Sequence, residues 1–170
     1  MKILDLSSKA MSMSGEVWMR HTNPWSVWTR ILGYPLLILV FWSREWFGIY
    51  FLIPVVVYLL WTWLNPRLFP KPKSTNNWAS KGVFGEKIFT ERKKEKIKIP
   101  KHHITAAYVT ITIAMIGFVI LIYGLYVLDI YITLFGGSIA ILGKMWFFDR
   151  MAWFFDDIKE LYPKYKKWIY

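Results

Sequence analysis

The stretch ITAAYVTITIAMIGFVILIYGLYVLDIYITLFGGSIAILGKMWFF, Ile104 to Phe148, carries a single acid, Asp129, and a single base, Lys144. A hydrocarbon core about 30 Å thick is crossed by ~20 predominantly apolar helical residues. Two such lengths are present, Ile104 to Val127 and Ile130 to Phe148, with only Leu128-Asp129 between them, so they read as two membrane helices in a tight antiparallel hairpin. Gly117 and Gly124 in the first, and Gly136 and Gly143 in the second, recur at a spacing of seven, with Ala140 four after Gly136. Small residues at such spacings let backbones approach, which predicts close packing of the pair.

Working outward, the same pattern occurs once more. Ser26 to Trp42 and Trp46 to Leu64 are apolar and are separated only by Ser43-Arg44-Glu45. Pro35 and Pro54 fall inside these two segments and are expected to bend them, since each removes an internal hydrogen bond. The expected fold is therefore an all-α integral membrane protein: four transmembrane helices as two antiparallel hairpins, with a cytoplasmic amphipathic helix between them and a C-terminal amphipathic helical extension. The composition agrees: 55% of the 170 residues are hydrophobic, mean hydropathy is +0.30, and there are 11 Trp, 10 Tyr and 12 Phe. The chain reads as one membrane domain, residues 1–170. It comprises an arm (1–23), a first hairpin (24–64), a basic loop (65–103), a second hairpin (104–148) and a tail (149–170).

Charge sets the expected orientation. The central loop holds eleven Lys and Arg, from Arg67 to Lys101, whereas the two hairpin turns hold only Arg44. Short cytoplasmic loops carry such an excess, so the loop and both termini are expected on the cytoplasmic face of the cell membrane. Trp25, Trp28, Trp42, Trp46, Trp61, Trp63 and Trp146 lie near segment ends, where indole rings favour the interface. The N-terminal MKILDLSSKAMSMSGE has no apolar run of the ~7 to 15 residues that a signal peptide core requires. The formal net charge of +11 points to an anionic lipid surface. No nucleic-acid motif accompanies the basic run, and nucleic acid is not expected as a partner. The absence of cysteine excludes disulfides and thiolate metal sites.

The segment RHTNPWSVWTR, Arg20 to Arg30, contains an Asn-Pro pair that returns in WTWLNPRLFP, Trp61 to Pro70. Asn23 suits an N-cap and Pro24 the first helical position, so this pair should start the first membrane helix. Asn65-Pro66 follows an apolar run and should end the second. Both pairs then lie at one face of one hairpin. Arg30, almost two turns in, is expected to snorkel back to phosphate level. Two readings follow: capping with interfacial anchoring, or a cationic cluster of His21, Asn23, Arg30, Asn65 and Arg67 that binds a phosphate or lipid headgroup.

Here the chain resembles a domain-of-unknown-function family of small multi-pass membrane proteins, mostly archaeal. The similarity rests on RHTNPWSVWTR, on WTWLNP with Leu68-Phe69 after it, and on WASKGVFGE from Trp78 to Glu86. It spans about residues 18 to 92, and KMWFFDRM in the last helix matches loosely. The resemblance implies a membrane location and no assigned activity. It also implies that Arg20, His21, Asn23, Pro24, Arg30, Asn65, Pro66 and Glu86 form a unit. The basic ERKKEKIKIPKHH departs from the family and takes no role from it.

Elsewhere, Pro70 to Asn77 reads as an extended polar connector. Trp78 to about Lys94 reads as an interfacial amphipathic helix, with Val83, Phe84, Ile88 and Phe89 near one side. After Phe148 the helical stripe continues through Met151, Phe154, Ile158 and Leu161 towards Pro163, and the acids beside it are expected to pair with the basic loop. His102 and His103 are adjacent and lack the i, i+4 spacing of a metal helix, so no metal and no cofactor are expected. No carboxylate lies at mid-depth in an apolar segment, as a proton relay would need. No nucleophile with a base and no Gly-rich phosphate loop stands out. The expected function is a non-enzymatic accessory or scaffolding subunit of a larger membrane assembly, with other membrane subunits or copies of itself as partners. The alternative is a protein binding phospholipid headgroups or anions at the Asn-Pro face, with lipid modification through His21 and Glu86 as its enzymatic form.

Overall fold

The computed structural model describes residues 11–170, and every regular element among them is helical. The signal-peptide reading and the arm bases Lys2 and Lys9 fall on the preceding residues, outside that range. Three stretches are long and apolar enough to cross a membrane: Pro24–Leu68, Lys101–Val127 and Ile130–Leu161.

The chain opens with α1 (Gly15–His21), a helix where only an arm was expected; Ser14 caps it by accepting from the Val17 N–H. Pro24–Leu68 follows. As one rod its 45 residues would extend roughly 68 Å at 1.5 Å per residue. Instead, Ser26 and Asn65 lie 2.8 Å apart through their side chains, so the stretch doubles back. It consists of α2 (Pro24–Leu32), α3 (Tyr34–Trp42), α4 (Arg44–Phe47), a 3₁₀ turn (Gly48–Phe51) and α5 (Leu52–Leu68). The expected single bent helix from Ser26 to Trp42 is thus two helices meeting at Gly33, because Pro35 has no N–H to continue α2 and instead opens α3. The reversal is longer than three residues, with Gly48 at φ +50° within it. Pro54 consequently sits in the first turn of α5, where its missing N–H costs little.

Asn65-Pro66 does not end the second helix. α5 runs through Pro66 to Leu68. The avoidance of helical geometry before proline is a bias that tertiary bonds outweigh here, since the Asn65 amide is buried and bonded on both sides.

The long helices α7 (Lys101–Val127) and α8 (Ile130–Leu161) meet backbone to backbone at their glycines. A Cβ on Gly117 would stand 2.3 Å from the Ala140 nitrogen, and one on Gly136 would stand 2.3 Å from that of Leu121. Gly124 meets Thr133, and Gly143 meets Ala114. Partner numbers fall as those of α7 rise, so the two run antiparallel. Leu128 makes the turn in the left-handed region at φ +57°, and the Asp129 carboxylate caps α8 by accepting from the Ile132 N–H at 2.8 Å.

Helix α6 (Trp78–Glu91) is capped by Asn77, whose side-chain oxygen accepts from the Ser80 N–H at 2.9 Å. Its apolar side does not face lipid, contrary to the interfacial reading. Val83, Phe84, Ile88 and Phe89 are buried, the last three in one core with Phe147, Met151, Phe154, Phe155 and Ile158 of α8. At Gly85 a Cβ would lie 1.9 Å from the Met151 carbonyl oxygen, so α6 rests directly on the α8 backbone. The stripe past Phe148 is buried as far as Ile158, whereas Leu161 is exposed. A closing 3₁₀ helix (Pro163–Trp168) returns Trp168 to Phe84, with ring centroids 5.0 Å apart. Thr75 of the connector and Tyr170 exchange backbone and side-chain bonds at 2.8 and 3.0 Å. Acids of the tail do meet bases of the loop: Asp156 pairs with Lys81 at 3.1 Å.

The surface is inverted relative to a water-soluble protein. Leu36, Leu39, Ile53, Val57, Val119, Ile122, Phe135 and Leu142 are exposed, while Thr22, Ser26, Asn65, Ser80, Thr110 and Thr133 are buried. In lipid this is the favourable arrangement, because buried polar groups find protein partners that hydrocarbon cannot offer. The Gly85 contact is the tightest of these approaches. Gly85→Ala is expected to destabilise by about 1–3 kcal/mol, since α6 must lift from a backbone that cannot yield. Thermal unfolding of the detergent-solubilised protein measures it, with Gly15→Ala, which meets nothing within 4 Å, as the neutral control.

Candidate functional site

Two Asn-Pro pairs meet at one end of the α2–α3/α5 pair, and the last carbonyls of that end hold them together. The Asn23 side chain accepts from the Trp25 N–H at 3.0 Å, capping α2, and donates to the Pro70 carbonyl at 3.0 Å. Arg20 donates to the Phe69 carbonyl at 3.0 Å. Arg67 donates to the Met11 carbonyl at 2.6 Å and lies over the Trp63 ring. Of the seven residues expected as ligands, Arg20, Asn23 and Arg67 are therefore committed to backbone carbonyls.

Behind this layer runs a buried chain of side-chain hydrogen bonds. His21 Nδ1 and Ser26 Oγ are 2.7 Å apart, Ser26 Oγ and Asn65 Oδ1 2.8 Å, and Asn65 Nδ2 and Thr29 Oγ1 2.9 Å; Thr29 then donates to the Trp25 carbonyl at 2.6 Å. A hydroxyl has one proton to give. Ser26 gives its own to Asn65, so His21 Nδ1 must be the donor to Ser26, and Nε2 carries the lone pair. The Arg30 guanidinium stands 3.5 Å from Nε2 and agrees with that assignment, because the opposite tautomer would set two donors against each other. Asn65 thus fixes which face of His21 is basic.

Nε2 faces a cavity of about 410 Å³ enclosed by α1, α2, α3, α5, α6 and α8. That volume lies within the range of about 300–1,000 Å³ usual for small-molecule sites. Arg30, Lys144 and Glu86 line it together with Tyr34, Tyr58 and Thr62. Glu86 pairs with Lys144 at 3.2 Å. Arg30 has the long contact to His21 as its only side-chain hydrogen bond among the described residues. It lines the cavity. The Tyr34 hydroxyl is buried with no partner among the described residues. Among the described residues, Arg30, the Lys144–Glu86 pair and His21 border one space; Tyr34 lines it too, with its hydroxyl oxygen itself buried.

Of the residues expected at this face, His21, Arg30 and Glu86 line the cavity, and Asn65 stands behind His21 through Ser26. The sequence reading missed Tyr34 and Tyr58, whose polar ends inside apolar segments were the available signal. Lys144 was visible as one of only two bases inside apolar segments, but nothing in its neighbourhood pointed to Glu86.

A second cluster lies elsewhere. His102, His103 and Asp157 bring one potential ligand atom each within 4.8 Å of one another. His103 Nε2 is 2.9 Å from Asp157 Oδ2, and its ring packs edge-on against Trp153 and Phe154, so the pair ties the start of α7 to α8. His21 is not part of this group.

Burial, and after it the Arg30 and Lys144 cations, hold the His21 imidazole down from 6.5 to about 3. An unfolded chain takes that proton near pH 6.5, and the folded chain does not until near pH 3. The unfolded state therefore binds more protons across this window, and falling pH removes stability, by about 1.4 kcal/mol per unit from this group. Thermal unfolding at pH 7.5, 6 and 5 is expected to show the decline. His21→Gln, which keeps a donor for Ser26, is expected to flatten it.

No curated protein and no solved structure matches the chain. One family description does, "Family of unknown function (DUF6653)", over residues 3–167. Nearly the whole chain is covered, including the Asn-Pro pairs and the cavity they support, and the protein belongs to this family.

Proposed function

We propose that this is a four-span protein of the cell membrane that binds an anion, in the class of phospholipid headgroups, in the cavity beneath its Asn-Pro face. The observation that carries the reading is Arg30: a cavity-lining guanidinium with no carboxylate at ion-pair distance among the described residues, beside the His21 imidazole. With Glu86 committed to Lys144, the cavity holds one net positive charge. Arginine's planar donors suit phosphate oxygens, and a charge-assisted bond there would supply the partner that Arg30 lacks among the described residues.

The topology that goes with this is two hairpins, the first turning between Ser43 and Phe51 and the second at Leu128-Asp129, with both ends and the basic loop on the cytoplasmic side. The eleven Lys and Arg between Asn65 and His103 support it, and so does the apolar surface of α3, α5, α7 and α8. The accessory-subunit reading has no comparable feature behind it, because lipid alone is a sufficient covering for those surfaces.

Two experiments test these statements. The chain has no cysteine, so single replacements report accessibility cleanly. Lys94→Cys is expected to react with a membrane-impermeant maleimide only in inside-out vesicles and Glu45→Cys only in right-side-out cells; labelling of both from one side would overturn the topology. For binding, inorganic phosphate at roughly millimolar concentration is expected to raise the melting temperature of the solubilised protein. Arg30→Gln should abolish that shift and Arg67→Gln should keep it. Equal shifts in both variants would remove the cavity from the argument, and co-purification of a stoichiometric protein partner with no anion effect would return it to the subunit reading.

A further inference from the structure

The cavity has a second end. Arg30, His21, Glu86 and Lys144 border it towards the Asn-Pro face, among apolar groups that include Trp18, Val27 and Phe148, while Leu37 and Ile141 line it farther from that face. Leu37 is seven residues beyond Arg30 along α2 and α3, a rise of roughly 10 Å, and Ile141 precedes Lys144 by almost one turn of α8. The apolar end therefore lies deeper than the charged end, towards the level of the apolar belt. One turn deeper still the space is closed, where the Ile38 side chain comes within 3.0 Å of the position a Cβ would take on Gly137.

One side wall is different. Tyr58, Trp61 and Thr62 of α5 line the cavity opposite Ile141 and Met145 of α8, yet the principal packing partners of α5 are α1, α2 and α3. Trp61 and Trp146, on the two helices that bound this side, are both exposed at the outer surface. The cavity is too small to enclose two acyl chains, so a lipid seated in it would have to leave its chains outside, and the side between α5 and α8 is where the wall is not packed shut.

Resting on the anion-binding reading above, we infer that the ligand is a membrane phospholipid whose singly charged phosphodiester sits between Arg30 and His21, and whose glycerol end and first methylenes lie against Leu37 and Ile141, with the acyl chains leaving between α5 and α8. Charge selects the diester: one net positive charge in the cavity balances one negative charge on the ligand, whereas a dianionic monoester would leave an uncompensated charge in a low-dielectric space. His21, whose Nε2 lone pair faces the Arg30 guanidinium, places no second cation there.

The test separates head from tail. Wild-type protein, Arg30→Gln, Ile141→Trp and Leu37→Trp are reconstituted in lipid discs containing phosphatidylglycerol among phosphatidylcholine. Retained lipid is then read by native mass spectrometry after release into detergent. In parallel, thermal stabilisation by dimethyl phosphate, a soluble phosphodiester without chains, is measured for each. Wild type is expected to retain one phosphatidylglycerol in preference to phosphatidylcholine and to be stabilised by dimethyl phosphate. The two tryptophan variants fill the apolar end and should lose lipid retention at least about tenfold while keeping the dimethyl phosphate shift, which also shows that they are folded. Arg30→Gln should lose both. If both tryptophan variants retain phosphatidylglycerol as wild type does, or if wild type responds to dimethyl phosphate and retains no lipid, the lipid inference is overturned and the anion reading stands. If wild type shows neither effect, both fall.

Discussion

Helix α8 is touched by other backbone on two sides, and glycine is what permits it. Gly136 and Gly143 admit α7, and Gly85 of α6 brings a third helix onto the Met151 carbonyl. Between helices in lipid there is no hydrophobic gain from leaving the solvent, so close van der Waals contact must supply the association, and it is strongest where no side chain intervenes. The consequence reaches the cavity. Glu86 follows Gly85 directly, and Lys144 follows Gly143, so the ion pair that forms one wall is placed by the same two contacts that hold the helices together.

The other wall depends on polar groups that cannot be left unpaired. Ser26, Asn65 and His21 are all buried, and each uses its donors and acceptors on another member of the chain or on Thr29. Breaking one link strands the rest in a setting where an unsatisfied group costs about 1–3 kcal/mol. This makes the α2/α5 contact specific in a way that apolar packing alone would not be, and together with Arg30 at Nε2 it holds one tautomer of His21.

The sequence was most legible where a single physical rule dominates. Apolar length and the glycine spacing located α7 and α8, and Asn23-Pro24 marked the start of α2. It was misleading where two rules compete. Pro66 should interrupt a helix, yet bonds to the preceding Asn65 carry α5 on to Leu68. Periodicity in α6 showed an apolar face without saying whether lipid or protein covers it. Gly82 and Gly85 held that answer, because a helix lying on a lipid surface has no use for a backbone approach, whereas one packed on Phe148 and Met151 requires it. The cavity itself could not be read, since it is formed by residues from six helices whose mutual placement no local pattern encodes.

Arg30 shows most clearly why placement decides chemistry here. Arg20 and Arg67 lie close by in the same motifs, but their donors are spent on the carbonyls that close the Asn-Pro face, where they act as staples. Arg30 instead lines a cavity bordered by helices, in contact with His21 and with Trp18 on the same lining. A guanidinium held there keeps its charge and most of its five donors for whatever enters. Charge at the outer surface is screened over about 8–10 Å by physiological salt, but inside the cavity the same charge acts through a lower dielectric and over a shorter distance. In the proposed reading, the basic loop brings the protein to an anionic surface without distinguishing one headgroup from another, while discrimination falls to Arg30 and the groups set around it.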